Sequence, residues 1–168
     1  MRVVHRWFAD NDDWDGQFEG VEKGWPAFFR ILRLYRTHFG GMPSSGFQLV
    51  GFAPGPTQDA WASLRGSLGF DAAVVGQGVR TAAGAPSMAG TIEHTREGNS
   101  PELLLRLGEP TPGVAHLFAM SMGAQVYLGI NAYLYGDRAA AAVARDEPAW
   151  QAWIAQHFPA AMDSGATT

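Results

Sequence analysis

Gln125-Val-Tyr-Leu-Gly-Ile-Asn-Ala-Tyr-Leu-Tyr135 alternates without a break. Val126, Leu128, Ile130, Ala132 and Leu134 share one parity, while Tyr127, Asn131, Tyr133 and Tyr135 share the other. Successive side chains of a strand point to opposite faces, so the segment predicts a strand with one aliphatic face and one face bearing hydroxyls and an amide. The aliphatic face is expected to meet a helix, which leaves the tyrosines on the outside.

Upstream of this strand, from Ala72 onward, no helical period is found. Short β-type runs recur at 73–81, 88–96, 102–107 and 114–121, separated by Gly- and Pro-rich turns suited to antiparallel neighbours. A further strand is expected over 47–53. It is followed by the turn Pro54-Gly-Pro-Thr57, whose threonine can cap a helix burying Ala60, Trp61, Leu64 and Leu68 and ending at Gly69. After the last strand, Asp137 can cap a closing helix from Arg138. That helix buries Val143, Trp150, Trp153, Ile154 and Phe158, with a kink or restart at Asp146-Glu-Pro148 and a frayed tail over 160–168. Strand, helix, antiparallel strands and closing helix together define an α+β fold.

The N-terminal stretch obeys a different period. Trp14, Phe18, Val21, Trp25, Phe28, Phe29, Leu32 and Tyr35 fall at three- and four-residue steps, the spacing of one helical face. A short strand over 3–8 and an acidic turn over 11–15 precede this helix, and Pro26 should break it near Gly24. Gly40-Gly-Met-Pro-Ser-Ser-Gly46 reads as a linker, because its composition neither packs nor continues a helix. The expected organisation is therefore 1–39, linker 40–46, domain 47–159 and tail 160–168.

Asp15, Gly20, Gly24 and Trp25 form the pattern Asp-x-x-x-x-Gly-x-x-x-Gly-Trp after an acidic loop. This resembles the last strand and closing helix of the Hsp90-ATPase-activator-like branch of the START/Bet v 1 (SRPBCC) superfamily. The order of elements over 47–158 resembles, in topology, a reduced version of the same helix-grip fold, with one helix after the first strand where relatives commonly have two. The resemblance implies a curved antiparallel sheet wrapped on the C-terminal helix, with a cavity between them. It also implies two divergent copies in one parent protein, the first cut before its final strand, so that Met1 would be an internal start.

Composition restricts the function classes. The chain has 168 residues, is 46% hydrophobic and 17% charged, and carries a formal charge of -4 with no run of Lys or Arg, which argues against nucleic-acid and anionic-membrane partners. The absence of cysteine removes disulfides, thiolate metal sites and cysteine nucleophiles, and suits a cytoplasmic location. No apolar run approaches the roughly 20 residues of a membrane-spanning helix.

Residues able to carry chemistry are sparse. Glu93 and His94 are adjacent and, on a regular strand, face opposite ways. His116 shares parity with Val114, Phe118 and Met120; it reads as a partly buried histidine with a backbone partner or, alternatively, as a polar contact for a cavity. His5, His38 and His157 have no second ligand at useful spacing, so no metal is expected. Asp10, Asp12, Asp13 and Asp15 lack the glycine and glutamate of a calcium loop. Gly76-Gln-Gly78 suits a bulge better than a phosphate cradle, and no serine sits in a nucleophile turn. No catalytic residue and no cofactor is expected.

The leading expectation, carried by the resemblance, is a non-enzymatic START-like module holding a small hydrophobic molecule, with Trp61, His116, Phe118, Trp150 and Ile154 as lining. An alternative is a protein-interaction or co-chaperone-like module using the stripe Trp14, Phe18, Trp25, Phe28, Phe29, Leu32 and Tyr35. A cyclase or hydratase, as some superfamily members are, is the third, with His116 and Asn131 as its polar groups. The stripe needs a cover, since large apolar side chains are worth roughly 1.5 to 3 kcal/mol each when buried. The tyrosine-bearing face, a second copy in a homodimer, or a missing N-terminal domain would supply one.

Overall fold

The alternating segment forms the second strand of a six-stranded antiparallel sheet. The computed structural model describes residues 15–72 and 74–159, with side chains from residue 25. Helix α1 (Asp15–Leu34) passes into a π-helical turn (Tyr35–Phe39), then come β1 (Ser44–Pro54), α2 (Thr57–Leu68), β2 (Gly78–Arg80), β3 (Ala89–Arg96), β4 (Glu102–Glu109), β5 (Gly113–Met122), β6 (Gln125–Tyr135) and α3 (Ala139–His157). The strand order is β1-β6-β5-β4-β3-β2, so the last five strands run as a meander and β1 returns to pair with β6. The fold is α+β: a curved antiparallel sheet, a C-terminal helix packed on it, and an additional N-terminal helix.

Parity divides the sheet into two faces. On one, Leu49 of β1, Leu103 and Leu105 of β4, Leu117 of β5 and Leu128 and Ile130 of β6 pack with Trp61 and Leu64 of α2 and Trp150 and Ile154 of α3 to form the main core. Helix α2 uses the expected stripe, Ala60, Trp61, Leu64 and Leu68, and ends at Gly69 in the left-handed conformation (φ 77°), where an L side chain would be strained. Helix α3 lies close against β1 because Gly51 has no side chain: a Cβ there would stand 2.7 Å from Phe158 Cβ and 2.9 Å from Ile154 Cγ1. The Phe52 amide also donates to the Phe158 carbonyl at 3.0 Å, pinning the end of α3 to that strand.

On the opposite face a second, smaller cluster joins Leu34 and Phe39 to Leu104, Val114 and Tyr135, with Ile31, Tyr35 and Tyr133 packed around it. Phe39 stacks on Tyr135 at 4.6 Å between ring centroids and 18° between planes, and Tyr35 lies 5.3 Å from the same ring. The N-terminal helix therefore covers part of the tyrosine-bearing face of the sheet.

Several local expectations are corrected. Helix α1 continues through Pro26 and α3 through Pro148. A proline removes one backbone hydrogen bond, and the burial of Ala27 and Leu34 in α1, and of Ala142, Trp150 and Trp153 in α3, holds the turns on both sides. Ser44, Ser45 and Gly46 already pair with Tyr135, Leu134 and Tyr133, so the connection between the π-helical turn and β1 is 40–43 alone. Thr57 and Asp137 make no side-chain cap: the N-cap positions are Pro56 and Arg138, neither with a capping side chain. The run 73–81 contributes only the short edge strand β2. The expected strand 3–8, Trp14, the side chain of Phe18 and the tail 160–168 lie outside the described residues.

Candidate functional site

The face covered by α1 carries the polar side chains of the central strands, and they converge on Glu102. Glu102 opens β4 directly after Pro101, on the parity of Leu104 and Arg106. Antiparallel pairing sets Glu102 opposite Phe118 and His116 opposite Asn131, so residues from β4, β5 and β6 meet on one surface. The neighbouring strand contributes through an irregularity. Pairing between β3 and β4 shifts between Ile92 and His94, leaving Glu93 without a partner of its own. An extra residue in one strand reverses the parity beyond it. Consequently Glu93 reaches Arg106 at 2.6 Å while His94 reaches Glu102 at 3.1 Å. The two adjacent residues serve the same face, contrary to the regular-strand expectation.

Only 3% of Glu102 is exposed, and it is ringed by cations and ring nitrogens. Oε1 accepts from Arg30 Nη1 of α1 at 2.7 Å, meets His94 Nε2 at 3.1 Å and lies 3.6 Å from Arg96 Nη1. Oε2 meets His116 Nε2 at 3.2 Å. Burial opposes ionisation of Glu102. The hydrogen bond from His116 and the charges of Arg96, His116 and Arg30 outweigh it and hold the carboxyl below its usual range. For His94, burial and the Arg30 charge push the pKa down against the pull of Glu102, favouring the neutral ring. Because a carboxylate oxygen only accepts, the His116 Nε2 that meets Oε2 acts as its donor.

Two imidazoles and a carboxylate are metal-ligand types, but here both Nε2 atoms are directed at the carboxylate oxygens, and two guanidinium groups already supply its countercharge. Among the described residues no group of three or more His, Cys, Asp or Glu is placed to hold a metal ion.

Beside this cluster lies a cavity of about 340 Å³ between α1 and the sheet. Ala27, Phe28 and Ile31 of α1 form one wall, Phe118 and Met120 of β5 face them, and Arg96, Glu102, His116, Asn131 and Tyr133 supply the polar lining. Phe118 occupies its position because its partner in β6 is Gly129: a Cβ on that glycine would collide with Cε1 and Cζ of the Phe118 ring. The ring is held from both sides, by His116 at 5.1 Å and Tyr127 at 5.8 Å, both near-parallel.

No family model matches the sequence, and no curated protein matches it at a significant level.

The sheet separates the residues expected to line a cavity together. His116 and Phe118 line the cavity described here, whereas Trp61, Trp150 and Ile154 belong to the main core on the other face. Of the aromatic stripe, Trp25, Leu32 and Tyr35 are partly buried, and Phe28 and Phe29 are 50% and 41% exposed. Trp25, Phe28 and Phe29 contact one another at 5.6–5.9 Å. Sequence reasoning missed Glu102, Arg30 and Arg96. The available signal was a lone glutamate opening an otherwise apolar run, Glu102-Leu-Leu-Leu105, with an arginine at the same parity.

Proposed function

We propose that the chain is a START-like binding module that takes a small, largely apolar molecule into the cavity between α1 and the sheet, without catalysis. The supporting observation is a space of about 340 Å³ with apolar walls from α1 and β5 and a few polar groups at one end, the usual make-up of a small-molecule site. The helix-grip order of elements and the Asp15 to Trp25 pattern favour placement in the START/Bet v 1 superfamily, near its Hsp90-ATPase-activator-like branch. A cytoplasmic setting suits the cysteine-free composition. The cavity lies on the face away from α2 and α3, because large side chains such as Trp61 and Trp150 fill the layer under the closing helix.

A cyclase- or hydratase-like activity draws less support, since both Glu102 oxygens are already engaged and a saturated carboxylate is a poor base. The exposure of Phe28 and Phe29 favours a second role, contact of the aromatic end of α1 with a partner such as another copy of the chain. Light scattering coupled to size exclusion separates these roles: a monomer whose thermal midpoint rises with neutral apolar probes supports the binding module. A dimer dispersed by Phe28→Ser and Phe29→Ser, with no response to any probe, supports the interaction role and removes the first.

A further inference from the structure

Among the described residues, the charges gathered around Glu102 at the polar end of the cavity do not cancel. Glu102 contributes one negative charge and Arg30 and Arg96 two positive ones, while His94 is held toward its neutral form by burial and by Arg30. Glu102, the only carboxylate among the described residues of the lining, is already engaged on both oxygens, Oε1 by Arg30 and His94 and Oε2 by His116. Among the described residues, by contrast, donors are left over. Arg96 uses Nε on the Ser100 carbonyl at 2.8 Å, while its Nη1 stands 3.6 Å from Glu102, too far for a hydrogen bond. The side chains of Asn131 and Tyr133 line the same cavity and have no hydrogen-bond partner among the described residues. An excess cation with unspent N–H groups beside an amide and a phenol, all bordering apolar walls, matches an anionic headgroup on an apolar body.

We propose that the occupant is a small amphipathic organic carboxylate. Arg96, assisted by Asn131 and Tyr133, takes its acid group, and the apolar body lies between Phe28 and Ile31 of α1 and Phe118 and Met120 of β5. This rests on the binding function proposed above. Arg30 and Glu102 are positioning residues here: their ion pair occupies the carboxylate that would otherwise repel the ligand's own, and leaves Arg96 as the surplus charge.

Matched probes test it on the full chain. Octanoate and 1-octanol, and 2-naphthoate and 2-naphthalenemethanol, share a body and differ in the acid group. Calorimetric titration should show each acid binding about tenfold or more tightly than its alcohol, the effect of a charge-assisted contact. Arg96→Gln should erase that preference by weakening the acids far more than the alcohols, and a cooperative thermal unfolding transition certifies that the variant is folded. Arg96→Lys should retain part of the preference. Equal affinity of acid and alcohol in the native chain would overturn the carboxylate assignment and leave the binding module standing. No binding of any of the four probes would overturn both.

Discussion

Arg30 Nη1 and Glu102 Oε1 lie 2.7 Å apart, joining the N-terminal helix to the first residue of β4 across a face that is otherwise held by apolar contacts. The glutamate is nearly inaccessible while the arginine is about one-third exposed, so the two ends of the bond are not equivalent. Loss of the guanidinium leaves a buried carboxylate with weaker partners. Loss of the carboxylate leaves two arginines facing each other.

Arg30→Met should therefore destabilise the protein by about 1 to 2 kcal/mol, a figure reduced from that of a fully buried pair because water reaches the arginine. Glu102→Ala should cost more, about 3 kcal/mol, since it strands several cationic and ring donors at once. Urea unfolding measures both, and equal midpoints for Arg30→Met and the native chain would show that the pair does not hold α1.

Acid should weaken the fold in two stages. The Glu102 carboxyl is depressed below its ordinary value of 4.5, so its contribution is complete above that value and disappears as pH falls through the lower folded one. The His94 pKa is depressed below 6.5, so the unfolded chain binds the proton first and stability already begins to fall as pH drops past 6.5. The groups facing Glu102 are Arg30 from α1, His94 and Arg96 from β3 and His116 from β5. Glu102→Gln should shrink the stage below 4.5 in a plot of unfolding free energy against pH, leaving the smaller part due to the exposed Glu109 beside Arg80, and an undiminished stage would assign it elsewhere.

Gly129→Ala drives a methyl group against the edge of the Phe118 ring. Overpacking of this kind costs roughly 1 to 3 kcal/mol. Phe118→Leu in the same chain should recover most of it, because the smaller side chain vacates the position. A double-mutant cycle by thermal unfolding checks the coupling, and strictly additive effects would disprove the contact.

Phe39 is 5% exposed and stacked on Tyr135, which makes it the anchor of the second cluster. Phe39→Ala should cost about 3 kcal/mol, in the range of large-to-small core changes. Hydrogen exchange should quicken in α1 and in the π-helical turn while α3 keeps its protection. Uniform loss of protection would mean that the helix and the sheet unfold as one unit.

The strands and the two later helices were legible because each announces itself by its own period. The alternation over 125–135 and the stripe from Ala60 to Leu68 each lie within one segment, and neighbours cannot disguise them. The polar site was not legible in the same way. Glu102, His94, His116 and Arg30 come from four elements, and what unites them is pairing register, which no single strand carries. The shift between Ile92 and His94 is the sharpest instance. One extra residue brought two adjacent side chains, expected on opposite faces, to the same one and made His94 a partner of the buried carboxylate, and nothing in Thr91-Ile-Glu-His-Thr95 marks the place. The two internal prolines misled for a related reason, since their local preference yields to the packing of whole helices. The site residues offered for the closing-helix layer were chosen for size and apolarity, and such residues fill a core as readily as they line a hole.

The return of β1 to the side of β6 sets an order of events for folding. The meander from β2 to β6 forms by neighbouring hairpins, whereas the pairing of Phe47 with Ala132 must draw together segments far apart in the chain, at a larger loop-closure cost. The π-helical turn and α1 are tethered to β1 by only a short connection, 40–43. Until β1 docks, the N-terminal helix is a trailing segment with no fixed place. The cavity under α1 therefore cannot form before β1 has docked on β6, and a nascent chain cannot display it before most of the sheet has left the ribosome.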